Sequence, residues 1–466
     1  MSSEQAATGQ TRDTAAGCGQ HGVRVFLGAV LHFLDDPGPE LDPAAWELFE
    51  DGALVVDGEG KVAWAGPAAD VPCELRTGAT KVDHRGRLIV PGFVDTHLHV
   101  SEVDIVASYG EQLLNWLQQY AFPAEAKCAD PDYARTVAGI ALERMLAAGT
   151  TTASVHTSIH TTMVDAFFEQ ALQRNLRMLS GKVLMDRVTQ TPHYLRDPDV
   201  QTAEDQTLEL IDRWHGKGRL GYSISPRLAL TCTEDMLAMV ARLHRQQPDL
   251  WIQTHGAENP EEIKRVLDIY RAQDSSYRSY IDIYDRFDLL TGKSLFAHCV
   301  HIDDTDRVRL AAAGSAVAFC PDSNMFLGSG LFDLDAAWRY GVSVGLGSDI
   351  AGGTSYSQLY ALNQAYKVVA VRGGRLHALR GFYLATLGGA RALSLDRHIG
   401  NFTVGKEADF TVLDFAATPT LARRAEIAET FAERLFALMI LGDEQAVTAT
   451  YILGRRVHER QSPAPV

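Results

Sequence analysis

Eight short apolar runs, each ending in polar residues and separated from the next by a stretch of helical spacing, constrain this chain more than any other feature. They are RLIVPGFVDTHLH, TTTASVHT, RMLSGKVLMD, LGYSISPRLAL, DLWIQTHGAE, KSLFAHCV, SAVAFCPDSN and VSVGLGSDI. Strands buried on both faces read as near-continuous apolar runs, and their alternation with segments such as EDMLAMVARLHRQ is the signature of βα units around a parallel sheet. Eight such units predict an α/β fold, a closed (β/α)8 barrel of the TIM type.

The flanks read differently. Residues 1–20 are small and polar and predict a disordered tail. Residues 21–89 carry short β-rich runs, VRVFLGAVLHF, ALVVDG and KVAWAG, punctuated by Gly, Asp and Pro. Residues 396–466 return to that texture in NFTVGKEADFTVLDF and AVTATYILGRRVHE, so the two ends are expected to form one small composite β-sandwich domain beside a barrel over residues 90–395. A chain of 466 residues is long enough for both.

Composition narrows the partners. A formal charge of −16, from 59 acidic and 43 basic residues, argues against nucleic acids and anionic membranes. Six cysteines without a C-x-x-C pair read as reduced thiols, and there is neither a leader-like apolar stretch nor an apolar run of about 18 residues, so the expected location is the cytoplasm. Neither a phosphate-binding Gly-rich loop with Lys and Ser or Thr nor the H-x-E and P-C-x-x-C signature of cytidine-type deaminases occurs.

The C-terminal ends of barrel strands carry the active site in this architecture, so polar residues there are informative. His97 and His99, two apart in VDTHLHV, point to the same side of a strand. Such a pair alone is more often surface or core histidine than a metal site. Other strand ends add weight: His255 in IQTHGAE, Glu258 three residues later, His298 in FAHC and Asp349 in GLGSD. Three imidazoles and a carboxylate, from His97, His99, His255 and Asp349, suit Zn²⁺ with one position left for water. Coordination lowers the pKa of that water from about 15.7 to about 7 and leaves Glu258 free as a proton shuttle.

Across PGFVDTHLH, GTTTASVHTSIHT, GKVLMD, IQTHGAEN, AHCVH, CPDSN, GLGSDIAGG and NFTVGKEADF the chain resembles the amidohydrolase superfamily. NWLQQYAFPAE, SPRLALTCT and SDIAGG are similar to its guanine deaminase family, and the resemblance covers nearly the whole chain. It implies one zinc per subunit on His97, His99, His255 and Asp349, with Glu258, His298 and Asp349 as the catalytic groups. It further implies substrate contacts from His99, Glu102, Arg227, the backbone N–H of Leu228, His255 and Glu258, a homodimer, and hydrolysis of guanine to xanthine and ammonia.

Three points stay open at this level. The strand-four run LGYSISPRLAL lacks the lysine that binuclear relatives carboxylate, which favours one metal, and Lys182 reads as structural. Arg227 is either a carbonyl-binding donor or part of a structural salt bridge. Glu102 stands where the family usually has Gln. An ionised Glu only accepts hydrogen bonds, so Glu102 is protonated, faces a ring N–H, tunes the pocket to an oxidised guanine or a pterin, or lies in solvent at the rim. A ring-opening cyclic amidohydrolase and a catalytically silent barrel scaffold are the alternatives to deamination.

Overall fold

The structure is a computed structural model that describes residues 22–110 and 112–461, so the tail expected over 1–20 lies outside the described residues. The chain opens with β1 (Arg24–Phe33), β2 (Trp46–Val56), β3 (Val62–Pro67) and β4 (Thr80–Pro91). After Gly92 it enters the barrel, whose strands are β5 (Phe93–His99), β6 (Thr150–His156), β7 (Arg177–Gly181), the two-residue β8 (Val183–Leu184), β9 (Gly221–Pro226), β10 (Trp251–Gly256), β11 (Ser294–His298), β12 (Ala316–Phe319) and β13 (Ser343–Leu346). It finishes with β14 (Phe410–Leu413), β15 (Val447–Ile452) and β16 (Arg455–Glu459).

The barrel strands pair in parallel in the order β5-β6-β7-β9-β10-β11-β12-β13, with β8 extending β9. All eight sequence runs contribute one of these strands, because each is apolar enough to be covered on both faces. Two backbone bonds close the ring between its first and last members: Asp349 donates its N–H to His97 O at 2.8 Å, and His99 donates to Ile350 O at 2.7 Å. Gly345 makes that approach possible, since a Cβ there would lie 2.2 Å from Thr96 Cγ2. Closure therefore places Asp349 directly beside the His97–His99 pair.

The two chain ends share a seven-stranded sheet of order β16-β15-β14-β4-β1-β2-β3. It joins through antiparallel pairing of β4 with β14, Leu88 opposite Leu413 and Pro91 opposite Phe410. Its own apolar cluster gathers Phe26, Val30, Leu54, Ile89, Phe410 and Tyr451 from both ends, with Phe410 and Tyr451 stacked at 4.4 Å. The seam against the barrel is polar and paired. Glu407 accepts from Arg177 Nε at 2.8 Å and from Arg219 Nη1 at 2.6 Å, and Asp409 accepts from Arg219 at 2.7 Å.

Candidate metal centre and substrate pocket

The structure brings the strand-end residues to one mouth. His97 and His99 end β5, His255 is the next-to-last residue of β10, His298 ends β11, and Asp349 follows β13 by three residues. The non-glycine residues His298 and Asp349 adopt φ of 70° and 50°, sparsely populated values of the kind that cluster at functional sites.

Four potential ligand atoms converge. His97 Nε2 is 3.1 Å from Asp349 Oδ1, His99 Nε2 is 3.6 Å from the same oxygen, and His99 Nε2 is 3.1 Å from His255 Nε2. Ligands about 2.1 Å from a tetrahedral ion sit about 3.4 Å from one another, so these separations fit a zinc-sized centre. His97 Nε2 is fully buried and makes no hydrogen bond despite its proximity to Asp349, as expected if both atoms face a common ion. His255 Nδ1 lies 2.7 Å from Arg227 O; donating to that carbonyl leaves Nε2 with its lone pair free. Burial pushes His97, His99 and His255 below the usual histidine range, keeping them in the neutral form that binds metal. Burial opposes charge on Asp349, but His97, His298 and the Ser323 hydroxyl outweigh it and hold the carboxyl below its usual range.

Glu258 stands apart from these four. A capping box at the helix Pro260–Gln273, with Asn259 as cap and Glu262 at its third position, fixes the turn that presents it. Glu262 accepts from the Glu258 and Asn259 N–H groups at 3.1 and 3.2 Å and from Tyr280 Oη at 2.6 Å. Ser329 Oγ donates to Glu258 Oε1 at 2.9 Å, and Glu258 Oε2 lies 3.4 Å from His298 Nε2. Burial raises the Glu258 carboxyl to about 7, a value suited to exchanging protons near neutrality. For His298 burial works against the charged form, but Glu258, Asp349 and the Asn324 oxygen 2.8 Å from Nδ1 outweigh it and raise its pKa.

Above this centre is a cavity with a polar floor and an apolar wall of Leu113, Trp116, Leu117 and Leu327. Glu102, Arg227, Leu228 and Glu258 line it. Glu102 is 1% exposed, which overturns the solvent-facing alternative for that residue. Its Oε1 lies 3.3 Å from both His99 Nδ1 and Arg227 Nη2. Burial and the neighbouring Glu125 together push its carboxyl well above the usual range. Arg227 is both things considered for it: it lines the cavity, and it is ion-paired, through Nη1 to Glu125 and Nη2 to Glu102. Lys182 is buried against Asp197 and takes no part in the mouth, in keeping with a structural role.

Sequence reasoning missed several residues. Glu125, Ser329, Asn324 and Glu262 act on the named groups from loops and helices, where no strand-end rule finds them. His156 is different. It ends β6, is fully buried with its ring 4.8 to 5.1 Å from those of His97, His99 and His255, and neither ring nitrogen has a partner. The strand-end rule that flagged the other histidines applied to it equally.

A model of the amidohydrolase family matches residues 88–457. The chain belongs to the amidohydrolase family. The guanine deaminase of Escherichia coli is 43% identical over 445 residues, 95% of this chain and 99% of that protein. The solved E. coli guanine deaminase structure superposes with a TM-score of 0.89 at 41% identity, covering 95% of this chain and all of the other. A guanine deaminase from C. acetobutylicum with guanine in its active site gives a TM-score of 0.83 at 26% identity over 94% of this amidohydrolase.

Proposed function

We propose that this chain is a metal-dependent guanine deaminase that hydrolyses guanine to xanthine and ammonia. The observation that carries the reading is a chain of four ligand groups, His97–Asp349–His99–His255, whose successive atoms lie 3.1 to 3.6 Å apart, with a fifth group, Glu258, left free for proton transfer beside them. Guanine is the substrate named for the similar proteins from E. coli and C. acetobutylicum, and the site has the donors that such a ring needs.

His97, His99, His255 and Asp349 would hold one zinc ion, whose contribution is to lower the pKa of a bound water from about 15.7 to about 7. The remaining chemistry belongs to side chains. Glu258 Oε2 takes one proton of the attacking water and delivers it to the ring nitrogen, then takes the remaining hydroxyl proton of the tetrahedral adduct and delivers it to the amine, which leaves as ammonia. His298, fixed by Asn324, donates from Nε2 toward the attacking oxygen. The Arg227 guanidinium and the Leu228 N–H hold the distant carbonyl oxygen, a geometry in which Arg provides fixed donors. Leu113, Trp116, Leu117 and Leu327 cover the ring and exclude competing water. His99, His255 and Glu102 complete the substrate contacts. A homodimer and a cytoplasmic location belong to the same reading, supported by the family resemblance. Among the described residues no helix is long and apolar enough to cross a membrane.

Ammonia release from guanine, 8-oxoguanine, pterin and adenine, with enzyme of measured metal content, tests the reaction. Guanine is expected to dominate. Dominance of another aminated heterocycle would transfer the chemistry to that ring and make Glu102 the residue that changed the pocket; metal-loaded enzyme silent on all four would overturn deamination.

A further inference from the structure

Arg227 is the largest fully buried side chain among the described residues, and its surroundings show how a guanidinium is held there. Nη1 is bound by Glu125, Nη2 reaches Glu102 Oε1 at 3.3 Å, and Nε has no partner. The guanidinium carbon lies 5.3 Å from the centre of the Phe122 ring. Phe122 and Glu125 are three residues apart in one helical turn, Phe122–Ala126, and so share a face. Just before that turn the chain makes a π-helical turn, Leu117–Ala121, which begins at Leu117 of the cavity wall and is preceded by Leu113 and Trp116 of the same wall. In a regular α-helix Phe122, five residues past Leu117, would face away from the wall. The wider π turn brings it back to the same side, as such turns often do at functional sites.

We propose that Glu125 is a positioning residue, which holds the Arg227 guanidinium over Phe122 at the cavity wall so that its free donors meet the carbonyl oxygen of the substrate. The inference rests on the proposed deaminase reading, in which Arg227 binds that oxygen. Glu125 is fully buried and does not line the cavity, so its hold on the substrate is indirect, through Arg227, which it pairs, while it also raises the carboxyl of the neighbouring Glu102. Among the described residues Glu102 is the one other acid on the guanidinium; it lies beside Glu125, and its Oε1 is also 3.3 Å from His99 Nδ1. Without Glu125 the guanidinium keeps only the Glu102 contact on Nη2 and loses the partner that fixes Nη1, so its orientation over Phe122 is no longer held. The three acidic and imidazole ligand atoms of His99, Glu102 and Glu125 that come close enough to hold a metal already have a resident cation, Arg227.

The test is steady-state ammonia release from guanine by the metal-loaded full chain. Arg227 makes the same contact in ground and transition states, so Glu125→Gln is expected to raise KM about tenfold or more with kcat within about threefold. Glu125→Asp, one methylene short but charged, should recover part of that loss. In an Arg227→Met background, Glu125→Gln should change KM by less than about twofold, because the residue through which it acts is gone. A salt bridge that merely stabilises the fold would lower the melting temperature and the active fraction while leaving KM unchanged, and that result would overturn the proposal. If Glu125→Gln does not fold, Phe122→Leu carries the same expectation of raised KM at unchanged kcat, and an unchanged KM there overturns it. Wild-type enzyme that holds metal but releases no ammonia from guanine would refute the reaction itself; turnover with an unmoved KM in Glu125→Gln refutes only the role of Glu125.

Discussion

Two regions of this molecule bury charge, and they do so in opposite ways. At the seam between barrel and terminal sheet, Arg177, Arg219, Glu407 and Asp409 satisfy one another at 2.6 to 2.8 Å. At the barrel mouth, His156 Nδ1 and Nε2, Glu125 Oε2 and Asp95 Oδ2 are buried without any partner, and Glu258 is raised to about 7. Burying an unpaired polar group costs about 1–3 kcal/mol, so an accumulation of them is tolerated only where something else binds. The seam's charges are matched to one another, whereas the mouth keeps, beside the ion pairs of Arg227, polar atoms with no protein partner.

The largest effect that can break this comparison is on turnover. Glu258→Gln keeps the size and a hydrogen-bond acceptor for Ser329 but cannot shuttle protons, so kcat should fall by about 10³-fold or more while metal content and melting temperature hold. Near-normal turnover in that variant would remove Glu258 from the chemistry. The seam should answer in the other currency. Glu407→Ala leaves Arg177 and Arg219 buried against each other, and breaking a buried pair costs about 3–5 kcal/mol of stability, read from urea unfolding, with kcat per folded molecule unchanged. Loss of activity at unchanged stability would place the seam in the catalytic unit.

Acid should dismantle the sheet region stepwise. His84 is held at about 4, first by burial and then by Arg87 and Arg456, below its unfolded value near 6.5. Its folded pKa is depressed, so its contribution is complete above pH 6.5 and is lost as pH falls through 4. At about 1.4 kcal/mol per unit this amounts to roughly 3 kcal/mol. Burial disfavours the charged form of Glu407, but Arg177 and Arg219 overcome it and hold the group at about 2, so its contribution is lost between about pH 4.5 and 2. In His84→Phe the slope of unfolding free energy between pH 6.5 and 4 should flatten by about one proton; an identical slope would show that His84 is not held neutral.

The same contrast explains what could be read before the fold was seen. Parallel strands covered on both faces leave apolar runs, and their polar last residues stand out against them, which is why His97, His99, His255, His298 and Asp349 were legible. β8, two residues long, leaves no such run. Glu125 was not legible for another reason. It lies on the excursion between β5 and the helix Pro131–Ala147, where a π turn resets the helical phase, and no fixed period relates it to Arg227, about a hundred residues away. The burial of Glu102 depends on that same excursion folding over it. Its replacement of the usual Gln was visible in the sequence, whereas the second acid that raises its pKa was not.

The smallest effect is the most discriminating about how the mouth works. Among the described residues Ser329 Oγ is the one hydroxyl on Glu258, and it stabilises the ionised form. Ser329→Ala removes a hydrogen bond worth about 1–2 kcal/mol, so kcat/KM should drop about five- to thirtyfold. The direction of the pH profile matters more than that drop. Glu258 must be ionised to accept a proton, so the acidic limb of kcat/KM follows its pKa, and losing a donor to the charged form moves that limb to higher pH. A limb that stays in place while the rate falls would mean that Ser329 only packs the loop and that another group sets the profile. A limb that moves would tie the free carboxylate at the mouth to the proton that the reaction transfers.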